Sequence, residues 1–159
     1  MNDLFGYAVG QNYSGLAKEL AGQITEALDD FAQAATILEK INTRGYLQDS
    51  HAGIARCRMA LGDLDTARMQ AVSIWDYLQT NAGAGMEFPL LAYETCASIF
   101  SSAGQASLAR HIIKAGYGEL MVRAGKISLP EWRRSFMDQV PEHRRIQARW
   151  QLDNISNRE

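Results

Sequence analysis

The stretch Glu19–Ile41, ELAGQITEALDDFAQAATILEKI, decides how this chain folds. After Ala21-Gly22, the residues Ile24, Ala27, Leu28, Phe31, Ala34, Ala35, Leu38 and Ile41 recur at steps of three and four. That spacing draws one wide apolar face along a helix, and such a face has to be buried. Upstream, Tyr13, Leu16, Ala17, Leu20 and Ala21 form a second stripe. Gly22 lies between the two and is free to take the left-handed conformation in which helices often end. The stretch therefore reads as the bend and return arm of a helical hairpin.

The corner recurs. Leu61-Gly62 is followed by Ala67, and Ala103-Gly104 by Ala109, just as Ala21-Gly22 is followed by Ala27. The spacings between the glycines are 40 and 42 residues, a period expected of stacked helical hairpins. In the second unit Leu47, Ile54, Cys57 and Leu61 precede the glycine, and Leu64, Ala67, Ala71, Ile74, Trp75 and Leu78 follow it, with Asp63 placed to cap the returning helix. In the third, Leu91, Tyr93, Cys96, Ala97 and Phe100 precede Gly104, and Ala109, Ile112, Ile113, Gly116 and Leu120 follow it. Gly116 and Gly118 flank Tyr117 in what should be a helix interior, where each costs roughly 1 kcal/mol relative to alanine unless a neighbouring element comes close. Asn42-Thr43-Arg44-Gly45 supplies a stop between the first two units, and Asn81-Ala82-Gly83-Ala84-Gly85 is the expected flexible loop before the third.

The tail departs from the repeat. Ser128-Leu129-Pro130-Glu131 is expected to form a capping box with Ser128 at the cap, ahead of Trp132, Phe136 and Val140. Pro141 then breaks or kinks that helix, and a further one carries His143, Ile146 and Trp150, with fraying from Asn154 onward. The expected fold is all-α: about three hairpins, near 8–42, 47–79 and 87–125, within an array over 1–127, followed by C-terminal capping helices over 128–159.

Composition narrows the function. Two lone cysteines, Cys57 and Cys96, fall within helical patterns and read as small core residues. The histidines His51, His111 and His143 are far apart, with no HExxH or paired-cysteine spacing to hold a metal. His51 and Cys57, six apart on one helix, do not share a face. No catalytic residue, cofactor or metal is expected, and the chain reads as a non-catalytic scaffold. The longest apolar runs, such as Phe88–Leu91, are too short for a bilayer, and the N-terminus has no basic region leading into an apolar core, so a soluble, cytoplasmic protein is expected. Residues 1–120 carry 8 Lys/Arg against 13 Asp/Glu and residues 121–159 carry 8 against 5, so the tail is the basic end. Its Arg133, Arg134, Arg144, Arg145 and Arg149, interleaved with Trp132, Phe136 and Trp150, are the only candidates for nucleic acid. Arginines and aromatics at different phases also suit a surface helix docked on the array, which is the preferred reading.

The hairpins resemble tetratricopeptide repeats. In the first unit Gly15, Gly22, Ala27, Phe31 and Ala34 fall at that family's offsets; the second keeps Gly62, Ala67 and Ala71 with Ala55 at the first-helix glycine; the third keeps Gly104 and Ala109 with Ala97 there. The spacing exceeds the usual 34 residues. The tail, with Arg134-Ser135-Phe136 and Val140-Pro141-Glu142-His143-Arg144, resembles the ending of large bacterial multidomain regulators, in which such arrays follow AAA-type ATPase, nucleotide cyclase or transcription-activator domains. No phosphate loop, cyclase-like metal carboxylate pair or helix-turn-helix reader is found in this chain. The resemblance implies a right-handed superhelix and a groove lined by Asn12, Leu16 and Glu19, by Asp49, Arg56 and Met59, and by Glu94, Ser98 and Ser101. It implies a protein or peptide partner, in a signalling or transcription regulator. The alternative is a homo-oligomerisation module, in which the N-terminal Leu4, Phe5, Tyr7 and Val9 meet a copy of the chain. The array is expected to be closed at its C-terminal end and more exposed at the other, as a piece of something larger would be.

Overall fold

The computed structural model describes residues 3–156, and among these it is all-helical, with eight α-helices and no strand. They are α1 (Leu4–Leu20), α2 (Ile24–Lys40), α3 (Arg44–Ala60), α4 (Leu64–Asn81), α5 (Pro89–Ser102), α6 (Ala106–Gly125), α7 (Pro130–Asp138) and α8 (Pro141–Ser156). The three glycine corners are the same object three times. Gly22, Gly62 and Gly104 have φ of 79, 85 and 76°, a region that costs glycine nothing. At each, the glycine amide bonds three residues back and the next amide five residues back, as in Gly22 N–H to Glu19 C=O and Gln23 N–H to Lys18 C=O. That pairing is the Schellman closure of a helix end. Asn42, φ 55°, makes the same closure between α2 and α3.

Sequence neighbours pack in antiparallel succession, α1 on α2, α3 on α4, α5 on α6, with α2 on α3 and α4 on α5. A second series of contacts links non-neighbouring helices: α1 meets α3, α3 meets α5, and α5 meets α8. Thus α8 occupies the next place in the row of first helices. The short α7 spans the gap, touching α6 and α8.

Small residues let these helices approach. Ala27, Ala34, Ala55, Ala67, Ala71 and Ala97 are fully buried, and Phe31 fills the space between three helices. A methyl on Gly15 of α1 would sit 2.9 Å from the Phe31 ring, and one on Gly53 of α3 only 2.5 Å. Burying a phenylalanine stabilises by roughly 1.5–3 kcal/mol, and two glycines make the room. The main core runs from α3 through α6 and takes in Ile146 of α8, with Trp150 stacked on Tyr117 at 5.2 Å. Two smaller clusters, around Ala8, Ala34 and Leu38 and around Ala27, Phe31 and Cys57, hold the first hairpin to α3.

Several local expectations are corrected. Gly45 does not stop anything: it lies in the first turn of α3, against the backbone of Gly85, where a methyl would come within about 2 Å of that carbonyl. Ser128 does not cap α7. Pro130 is the first helical residue, which makes Leu129 the N-cap and shifts the box by one, and the Arg133 side chain instead bonds the Ile127 carbonyl at 2.7 and 3.1 Å. The expected break at Pro141 is present: α7 ends at Asp138 and Pro141 begins α8, which continues through Ser156 rather than fraying at Asn154, while residues 157–159 lie outside the described set. Asp63 caps α4 as expected, its carboxylate accepting from the Thr66 amide at 3.2 Å. Gly116 allows the expected close approach, its position 2.9 Å from the Tyr93 Cβ for an added methyl, whereas Gly118 faces open space.

Within residues 81–85, the stretch expected to be flexible, Gly83 is buried, and the residues that follow it are pinned. Asp49 of α3 accepts from the amides of Glu87 and Phe88 at 2.7 and 3.1 Å. Tyr77 donates to the Ala84 carbonyl at 2.7 Å, and Tyr13 and Tyr46 both donate to the Glu87 carboxylate, at 3.0 and 3.2 Å. Gly83 and Met86 are buried. No helix among the described residues is long and apolar enough to cross a membrane.

Candidate binding groove

The row α1, α3, α5 and α8 presents one concavity. A cavity of about 520 Å³ is lined by Leu16, Glu19 and Leu20 of α1, Arg56 of α3, Phe88, Leu91 and Glu94 at and along α5, and Pro141, Glu142 and Arg145 of α8. A second, of about 280 Å³, shares Phe88, Leu91 and Glu142 and continues to Val140, Phe136, His143 and Arg123. The two form one groove with an apolar floor and a charged rim.

Its polar side chains are tied to one another. Arg56 gives Glu19 two hydrogen bonds, 2.7 and 2.8 Å, donates to the Thr95 hydroxyl at 3.2 Å and stands 5.8 Å from the centre of the Phe31 ring. One guanidinium thus joins α1, α3 and α5, in the bidentate geometry that only arginine offers. Glu94 accepts from Ser98 at 3.1 Å and pairs with Arg145 at 3.4 Å. Beneath the floor, Asn12 accepts from Ser50 at 2.7 Å, and Asp49 lines a cavity of only about 10 Å³ with Asn12, Phe31 and Arg56. Burial pushes the Asp49 carboxyl up to about 6, against the two amides and Arg56, which favour its charge.

Of the residues singled out from sequence, Leu16, Glu19, Arg56 and Glu94 come together in the groove, and Asn12 and Asp49 lie under it. Met59 packs against the core. Ser98 accepts from Arg149 at 3.1 Å and so is covered by α8, and Ser101 lines a separate cavity of about 250 Å³ with Arg149, Leu152 and Asp153. The groove also takes in Leu20, Phe88, Leu91, Pro141, Glu142 and Arg145, the last three because α8 lies beside α5, which nothing in the sequence places there.

The tail arginines divide. Arg145 and Arg149 bind α5, Arg149 also reaching the Ala97 carbonyl at 3.3 Å, and Arg133 closes its own loop. Arg134 and Arg144 are exposed, as is Trp132, while Phe136 packs against the core. Among the described residues no cluster of His, Cys, Asp or Glu could hold a metal ion. His143 is buried with Nδ1 2.7 Å from the Phe136 carbonyl, and burial pulls His51 below its usual range. Burial raises both cysteine thiols, Cys57 to about 11 and Cys96 further, which removes thiolate character. No family model matches the chain, and no curated protein or solved structure is significantly similar to it.

Proposed function

We propose that this chain is a non-catalytic protein-interaction scaffold, a divergent tetratricopeptide-like array whose concave face receives a segment of another protein. The observation that carries this reading is the continuous groove over α1, α3, α5 and α8, with Leu16, Phe88 and Leu91 along an apolar floor and Leu20 at its edge. Such a floor suits the helix-in-groove or extended-segment modes of peptide recognition. The titratable groups beneath it are consumed in structural pairs, which leaves recognition rather than reaction as its use. The resemblance of the tail to the endings of bacterial regulators makes a signalling or transcription regulator the proposed setting, in the cytoplasm.

The test is a substitution that alters the apolar lining of the groove without touching the core. Leu20 is 89% exposed, so Leu20→Glu should leave the melting temperature unchanged while abolishing capture of the co-purifying partner. Retention of that partner by a folded Leu20→Glu protein overturns the groove as its site.

A second reading has its own observation. Leu4, Phe5 and Tyr7 at the start of α1 are 38, 40 and 55% exposed, an apolar set on which a second copy could pack. Light scattering over a wide concentration range decides it: a constant monomer mass removes self-association.

A further inference from the structure

We propose that the groove selects a segment in which a lysine or arginine stands among apolar residues, its cation entering the chamber lined by Glu87 and Glu142. This rests on the groove reading above and goes further by assigning the partner's charge.

The argument is one of unmatched charge. Three guanidinium groups line the two chambers, and each has a carboxylate: Arg56 with Glu19, Arg145 with Glu94, and Arg123 with Glu119 at 2.7 Å. The carboxylates outnumber them. Glu142, half-buried in the first turn of α8, is bonded to no described residue, and Glu87 accepts only the two phenolic hydroxyls of Tyr13 and Tyr46. Both carboxylates line the smaller chamber, together with Phe88, Leu91 and Val140. The two phenols hold the Glu87 carboxylate in place, and its hydrogen bonds in turn raise both above their usual range. A cation entering this chamber finds carboxylates that no guanidinium holds, so it forms a charge-assisted bond without breaking an existing pair. An acidic segment would meet two fixed like charges, and electrostatic complementarity of this kind sets partner choice more than raw affinity. The apolar floor then takes the flanking side chains.

The experiment selects random peptides of about 14 residues, roughly 20 Å as helix, on the immobilised full chain, and measures the enriched sequences by fluorescence anisotropy. The expected outcome is enrichment of Lys or Arg among apolar residues, with binding about tenfold weaker to Glu142→Gln and further weakened as salt rises from about 0.05 to 0.5 M. Enriched peptides that are uncharged or acidic, yet lose binding to Leu20→Glu, keep the groove and overturn the cation. Peptides indifferent to Leu20→Glu, or no enrichment at all, overturn the groove reading and the proposal with it. Equal melting temperatures of the variants confirm that binding and not folding has been changed.

Discussion

Arg56 and Glu19 close a two-point pair between α3 and α1, with both contacts under 3 Å and side chains only 12% and 21% exposed. The same guanidinium reaches Thr95, so the pair fixes the relative placement of three successive first helices at the centre of the groove. A lysine would keep the charge and lose the fork. Arg56→Lys is expected to cost about 1–3 kcal/mol of stability, read as a lowered urea midpoint with an unchanged slope. In a double-mutant cycle with Glu19→Gln the two losses should fall well short of adding, because each removes the same interaction. Full additivity would show that the pair contributes nothing as a pair.

Two glycines on either side of Tyr117, Gly116 and Gly118, should respond with opposite sign. A methyl at Gly116 would stand 2.9 Å from the Tyr93 Cβ, while at Gly118 nothing lies within 4 Å. Gly118→Ala is therefore expected to stabilise α6 by about 0.5–1 kcal/mol through helix propensity alone. Gly116→Ala should destabilise by about 1–3 kcal/mol, since α5 or Tyr93 must shift to accept it. Thermal melts of the two variants distinguish them, and stabilisation by both would mean that α5 and α6 do not meet at this point.

Much of the fold was legible because glycine and alanine report on backbone geometry directly. The three corners needed a left-handed residue at fixed places, and Gly22, Gly62 and Gly104 announced them; Gly116 announced a close helix approach by its propensity cost. Gly53 makes room for Phe31 as Gly15 does, but a lone glycine inside a helical pattern does not by itself name the ring that fills its place. What escaped was non-local. The segment after Asn81 has the composition of a loose loop, but its partners Asp49, Tyr46 and Tyr13 lie 38 to 74 residues earlier in the chain. Nothing around Pro141 states that α8 returns to the row of first helices, and so the groove's second wall, and the covering of Ser98, could not be read.

Asp49 makes stability depend on pH in a direction opposite to that of a salt-bridged carboxylate. Its pKa is about 6 in the folded protein against the ordinary 3.8, so between those values the folded state binds a proton that the unfolded state has released. Its contribution is fully present below about pH 4, is lost as pH rises to about 6, and is constant above, a change of about 3 kcal/mol. Asp49→Asn cannot titrate. The stability of wild type minus that of Asp49→Asn should fall by that amount between pH 4 and 7, measured as urea midpoints at each pH. A flat difference would mean that Asp49 is not desolvated.

The pinned segment between α4 and α5 carries the last expectation. Its amide bonds to Asp49 and the two phenol bonds to Glu87 fasten it to α1 and α3, so its opening should be coupled to separation of α5 from α3 and not be a local fluctuation of a loop. Glu87→Ala removes the acceptor for Tyr13 and Tyr46 while leaving the backbone amides on Asp49. Hydrogen exchange at Ala84, Met86 and Glu87 should then quicken by about tenfold, equivalent to roughly 1.4 kcal/mol of opening free energy, while exchange in the middle of α6 stays as in wild type. Exchange at these amides that is already fast in wild type would show that the segment is not held, and would take with it the fixed position of Glu87 at the edge of the groove.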